Sequence, residues 1–239
     1  MSIKVTIWNE YRHEKISDHQ ASKVYPKGIH NAIKEALSVD NTLEIQTASL
    51  DDPDCGLPDE LLNSTDVLIW WGHSAHNEVP DALADKIQKA VLKGMGFIAL
   101  HSSHESKPFM KLMGTSCTLK WRDNDRERLW NVNSSHPITN GIGEYFELPI
   151  EEMYGEFFDI PKPDELIFLA WFSGGEVFRA GCTFNRGYGK IFYFQPGHET
   201  NPIYYDENIK KILLNAVKWA TPQIRRKELN CPNPPSLEK

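Results

Sequence analysis

Residues 66–72 read DVLIWWG and residues 96–104 read GFIALHSSH. Each opens as a short, unbroken apolar run and stops at glycine or histidine, the mark of a strand covered on both faces. Between them Pro80 starts a helical pattern. Leu83, Ile87, Ala90 and Val91 fall on one stripe, and Gly94 ends it. Strand, helix and strand at this spacing form a right-handed βαβ unit, which demands a parallel sheet.

Working outward, IKVTIW at 3–8 and LEIQTASL at 43–50 read as two earlier strands. Between them lies a helix expected to open at Pro26 and carrying Ile29, Ile33, Ala36 and Leu37. Downstream, alternation over 115–133 and 144–172 predicts antiparallel insertions. ELIFLAWF at 165–172 and EVFRAGCTF at 176–184 predict a hairpin turning at Ser173-Gly174-Gly175. GKIFYFQ at 189–195 returns to the buried-strand pattern, and Ile209, Leu213, Ala216, Val217 and Ala220 mark a closing helix. The expected fold is α/β: a doubly wound, flavodoxin-like, mostly parallel sheet with helices on both faces and antiparallel insertions. Residues 1–221 are expected to form one domain, and 222–239 an extended proline-rich tail.

With 40% hydrophobic and 25% charged residues among 239, the composition is that of a folded globular chain. A formal charge of -7 leaves no basic footprint, so neither nucleic acid nor an anionic membrane is an expected partner. No apolar run approaches the ~20 residues of a membrane helix. Cys55, Cys117, Cys182 and Cys231 form no CxxC pair, and the chain opens directly on a strand pattern. Reduced thiols and a cytoplasmic location are the expectation. No GxGxxG follows the first strand, so no nucleotide cofactor is expected.

Ligands of open α/β sheets bind outside the carboxyl ends of the strands. The first strand is followed by Asn9, Glu10, Tyr11, Arg12 and His13, and the third by Gly72, His73, Ser74 and His76. His101, Ser102, Ser103, His104 and Glu105 follow the fourth; Pro196, Gly197, His198 and Glu199 follow the last. Six of the chain's 9 histidines thus fall in four loops. Histidine titrates near neutrality and ligates transition metals, so the cluster points to acid–base or metal chemistry.

His101, Ser102, His104, His198 and Glu199 are the candidate catalytic residues. His101–His104 occupies a strand-to-helix turn of the kind that presents a nucleophile, with a helix amino end behind it. His198 and Glu199 could supply a base and its orienting carboxylate. No HExxH motif is present, so a metal site must be assembled from distant loops. His13, His30, His73 and His198 are the candidate ligands for one divalent transition ion, zinc first, with His101 and His104 as acid and base. A metal-free pocket of hydrogen-bonded histidines fits the same pattern. His136, before Pro137, reads as a structural turn residue.

The segments WNEYRHE (8–14), YPKGIH (25–30), WWGHSAH (70–76), GFIALHSSH (96–104), HPITNGI (136–142), EEMYGEF (151–157) and YFQPGHE (193–199) resemble the trehalose-utilization (ThuA-like) family. The resemblance implies a fold like that of class I glutamine amidotransferases and a role in disaccharide or modified-sugar metabolism. In amidotransferases the elbow residue is a cysteine; here it offers Ser102 or Ser103 and none of the four cysteines, so glutamine hydrolysis through a thiolate is not expected. For a sugar, Trp71, Trp121 and Tyr154 offer apolar faces, as do Trp70 and Trp171, while Asn9, Glu10, Arg12 and Glu152 offer polar contacts. The leading expectation is an enzyme that hydrolyses, cleaves or isomerises a sugar derivative. The alternative is a non-catalytic sugar-binding or regulatory domain. A homo-oligomer or assembly subunit, with Tyr204 and Tyr205 at an interface, is a third.

Overall fold

Val67–Trp71 and Gly96–Leu100 are buried at every residue, as runs covered on both faces must be. A computed structural model describes residues 2–230 and 233–238. Its strands are β1 (Ile3–Asn9), β2 (Leu43–Ser49), β3 (Val67–Trp71), β4 (Gly96–Leu100), β5 (Lys120–Asn131), β6 (Tyr145–Gly155), β7 (Glu165–Phe172), β8 (Val177–Arg186) and β9 (Gly189–Phe194). They form one sheet in the order β2-β1-β3-β4-β9-β8-β7-β5-β6.

From β2 to β9 all neighbours are parallel. With β9 as the fifth strand, this half has the 2-1-3-4-5 order of flavodoxin-like sheets. The strand order reverses between β1 and β3, so the loops at Asn9 and Gly72 flank the crevice that such a reversal opens. From β9 onward the pairings are antiparallel, and β5–β8 extend the same sheet, with β6 at its end packing back on β8. The expected hairpin is β7–β8.

The helices are α1 (Gln20–Val24), α2 (Ile29–Leu37), α3 (Asp59–Ser64), α4 (Asp81–Leu92), α5 (Lys107–Met113) and α6 (Glu207–Ala220). α2 packs with α6, and α4 packs with α3 and α5. Helix α2 opens at Ile29, not at Pro26. Its N-cap is Gly28 at φ 85°, where a Cβ would come within 2.4 Å of the His30 ring. The five residues of α1 and six of α3 are too short to display a helical period.

Trp8 of β1 stacks on Trp70 of β3, ring centroids 3.7 Å apart, inside the core. Residues 222–230 and 233–238 hold no helix or strand. The near part of this tail is tied down, because the Arg226 N–H donates to the Lys93 carbonyl at 2.8 Å. Cys231 and Pro232, expected as a free thiol and as part of the tail, lie outside the described residues. Cys55, Cys117 and Cys182 are free thiols. Among the described residues no helix is long and apolar enough to cross a membrane.

Candidate active site

Strand β4 ends at Leu100, and His101 follows with φ at 52°, a left-handed conformation unfavourable for a side chain with a Cβ. His101, not Ser102, therefore holds the strained position of the turn. Its imidazole is fully buried. Nδ1 donates to the Gln195 carbonyl at 2.8 Å, which directs Nε2 to a Glu152 carboxylate oxygen 2.9 Å away. The Tyr154 ring stacks on it, centroids 5.0 Å apart. Burial opposes charge on this ring, but the Glu152 carboxylate, aided by Glu151, outweighs burial and lifts the His101 pKa to about 9. Burial likewise works against charge on Glu152, yet His101 holds its pKa below the usual value. The pair is an imidazolium and a carboxylate at neutral pH.

The serines beside it have other tasks. Ser102 Oγ donates to the Gly72 carbonyl at 2.8 Å. Ser103 Oγ donates to the Trp70 carbonyl and accepts from the Gly72 N–H, both at 3.0 Å. They tie the end of β3 to the turn after β4. No imidazole is hydrogen-bonded to the Ser102 hydroxyl among the described residues, so the base a serine nucleophile needs is not in place. The helix behind the turn, α5, does not offer a bare amino end either, since the Ser106 hydroxyl caps it. His104 donates from Nδ1 to the Cys117 carbonyl at 2.7 Å, and burial drives its pKa down to about 3. It stays neutral and is no proton donor at neutral pH through Nε2.

A second cluster adjoins the first. Glu199 Oε2 lies 3.7 Å from His198 Nε2, within ion-pair distance but longer than a hydrogen bond. The expected His198–Glu199 pair is thus present only as this long contact. The other Glu199 oxygen accepts from His13 Nδ1 at 2.9 Å and lies 3.3 Å from His73 Nδ1. Burial alone would raise the Glu199 pKa, but these two imidazoles pull it far below the carboxylate range. His198 is steadied by Thr200, its Nδ1 lying 2.8 Å from the hydroxyl. Burial and the nearby His101 charge lower its pKa.

The rings of His73 and His198 lie 5.7 Å apart and those of His198 and His101 5.4 Å apart, so both clusters share one place at the carboxyl edge of the sheet. A cavity of about 440 Å³ opens on it, walled by His73, Ser102, His104, Glu152, Tyr154 and His198. Trp121 stands at this cavity with its side chain 64% exposed.

A family model described as trehalose utilisation, ThuA, matches residues 4–220. The chain belongs to the ThuA family. No curated protein matches it. Among solved structures, a ThuA-like protein from Parabacteroides merdae superposes with TM-score 0.69 at 14% identity, covering 96% of this chain and 93% of that one. A cytoplasmic protein from Salmonella typhimurium gives TM-score 0.66 at 13% identity over 92% and 100%. PurLQS from Thermotoga maritima gives 0.51 at 16% over 92% and 99%, in keeping with the amidotransferase-like scaffold. At these identities the likeness is one of fold.

Several residues expected in the pocket of this ThuA-family chain lie elsewhere. His30 does not join His13 and His73: its Nδ1 meets the Asn9 amide at 3.0 Å, and burial lowers its pKa to about 4. Asn9 is spent on His30 and on Glu14, to which it donates at 2.7 Å. Arg12 faces outward and pairs with Asp51 and Glu78. Trp71 is buried beneath the site, donating to the Gly197 carbonyl at 3.0 Å, and Trp70 is a core residue. Trp171 packs against Arg126 and Arg128. Tyr204 is buried, so only Tyr205 of the proposed interface pair is exposed. His136 caps a short turn, accepting from the Ile138 N–H at 3.2 Å, as a structural residue would.

Glu10 also leaves the substrate side. Its buried carboxylate accepts from the N–H groups of His73, Ser74 and Ala75 at 2.7, 3.0 and 3.0 Å. Glu151, which the sequence reading passed over, does the same for Gly197 and His198 at 3.0 and 3.2 Å. Each carboxylate holds the backbone of one site histidine. His19 was missed as well; it stacks on His13 with centroids 4.7 Å apart. Glu151 was reachable as the neighbour of Glu152, whereas nothing near His19 in sequence marks it.

Proposed function

We propose that the chain is an acid–base enzyme acting on a sugar derivative, with Glu152 as the group that exchanges protons with substrate and His101 as the buried imidazolium that positions it. The observation that carries this reading is the buried imidazolium–carboxylate pair at a cavity whose volume lies within the range for small-molecule sites. Strong pKa displacement by a specific partner in a cleft is a property of functional residues. Glu152, which borders the cavity, would take a proton from one substrate position and return it to a hydroxyl or carbonyl oxygen, while His101, buried with both ring nitrogens engaged, would hold the carboxylate in place. Proton exchange of this kind serves isomerisation, cleavage or hydrolysis of a sugar. Neutral His104 and the Trp121 ring would bind the substrate, the latter by covering an apolar face.

The test is turnover of trehalose and of oxidised or keto-disaccharides by wild type, His101→Asn and Glu152→Gln. Loss of product formation by 10²-fold or more, on the order expected for an acid or base, supports the reading if the melting temperatures stay near wild type. Tight binding with no product from wild type on any of these sugars favours the non-catalytic sugar-binding domain instead.

A further inference from the structure

We propose that His13, His73 and Glu199 form a binding site for one divalent first-row transition ion, zinc in the first instance. The inference goes beyond the sugar reading and stands without it. It also replaces the ligand set expected from sequence: His30 and His198 drop out, and a carboxylate enters.

The spacing of the three ligand atoms is the main ground. Glu199 Oε1 lies 2.9 Å from His13 Nδ1 and 3.3 Å from His73 Nδ1, and the two nitrogens lie 3.5 Å apart. A tetrahedral ion holding nitrogen and oxygen at its usual bond lengths sets such atoms about 3.3 Å apart. The three residues come from loops after β1, β3 and β9, so local chain geometry does not force them together. The other Glu199 oxygen, Oε2, is buried without a hydrogen-bond partner.

The surroundings fit as well. Ligand loops need outer support, and the Glu10 carboxylate fixes the backbone of His73 while His19 stacks on His13. Two imidazoles and one carboxylate suit zinc, cobalt or manganese better than magnesium or calcium, which favour oxygen donors. The neighbouring group of His101, Glu152 and His198 also gathers its ligand atoms within 4.8 Å. There the Glu152 carboxylate belongs to the pair proposed to act on substrate, and the Glu152→Gln variant tells the two groups apart. Because His73 also lines the cavity, an ion in the first group would border it. Three protein ligands leave a position for water or a substrate oxygen, which a bound ion would polarise.

The experiment is calorimetric titration of chelator-treated full-length protein with Zn²⁺ alone, repeated with Co²⁺ while its visible d–d bands are followed. One equivalent should bind wild type and raise its melting temperature. His13→Ala and Glu199→Gln should each weaken binding by at least roughly 100-fold, the upper end of what outer-sphere changes produce. Glu152→Gln should bind as wild type does. Circular dichroism on each variant separates lost ligands from lost fold, and His73→Asn serves in place of any variant that unfolds. No binding to wild type, or binding that survives His13→Ala and Glu199→Gln but fails in Glu152→Gln, overturns the proposal.

Discussion

The Glu199 carboxylate accepts a hydrogen bond from His13 at 2.9 Å across 186 positions of sequence, while the imidazole of its chain neighbour His198 stays 3.7 Å away. The site is therefore divided along the sheet edge. One side is the His13–His73–Glu199 group beside the strand-order reversal; the other is the His101–Glu152 pair on the turn after β4. His198 sits between them, its backbone held by Glu151. The two sides differ in charge. The His101 pair carries opposite formal charges that cancel, whereas the Glu199 anion faces two imidazoles.

The His101–Glu152 pair should leave a signature in the alkaline limb of stability. The folded-state pKa of His101, about 9, lies above the ordinary 6.5. Between those values the folded chain holds a proton that the unfolded chain releases. The stability from this group is complete below pH 6.5 and is lost as pH rises through about 9. Thermal melts from pH 6.5 to 10 should fall by several degrees in wild type, and the slope should flatten in Glu152→Gln. Equal slopes in the two proteins would contradict the pairing.

The acid limb has the opposite origin. Burial lowers His30 and His76 to about 4 and His104 to about 3, all from 6.5. Each is neutral when folded and protonated when unfolded over that interval. Their contribution is present above pH 6.5 and is lost as pH falls toward 4 and then 3. Denaturant midpoints measured from pH 7 to pH 4 should decline steadily, and imidazole resonances should show three rings that stay neutral at pH 5. A flat profile would mean these rings are solvated.

How far the sequence carried the reading depends on what each signal encodes. The runs at 67–71 and 96–100 announced buried strands because a parallel strand needs apolar side chains on both faces. Parallel order then brought the loops after β1, β3, β4 and β9 to one edge, so His13, His73, His101 and His198 were legible as a group. Their partners were not. A carboxylate such as Glu10 looks the same in sequence whether it faces a sugar or the N–H groups of His73–Ala75. Glu199 beside His198 suggested a pair, but the closer partner, His13, comes from the loop after β1. Trp71 read as a sugar platform, yet it belongs to the fully buried end of β3.

Ser102 and Ser103 give a sharper test of the turn. Ser102→Ala removes a hydroxyl that donates only to the Gly72 carbonyl, so it should cost about 1 kcal/mol of stability and leave turnover within a few-fold. Ser103→Ala removes both a donor to Trp70 and the acceptor for the Gly72 N–H, in a fully buried position. It should cost about 2–3 kcal/mol because a backbone donor and a carbonyl lose their partner together. Urea unfolding ranks the two. A loss of activity in Ser102→Ala comparable to that of His101→Asn would restore the serine as nucleophile.

Glu10 should behave as a positioning residue. Three N–H donors from His73, Ser74 and Ala75 converge on one buried carboxylate. Glu10→Ala leaves all three unsatisfied and should destabilise the fold by roughly 3 kcal/mol or more, since bonds to a charged acceptor are among the stronger ones. Glu10→Gln keeps one oxygen but sets an NH₂ against a backbone donor, so part of the loop should loosen. Amide exchange at 73–75 should then speed up in Glu10→Gln while exchange in β4 stays at the wild-type rate. Loosening confined to this loop would move His73 without touching the His101–Glu152 pair. The pH dependence of stability above 6.5 should therefore survive Glu10→Gln, and its disappearance would show that the two halves of the site are one cooperative unit.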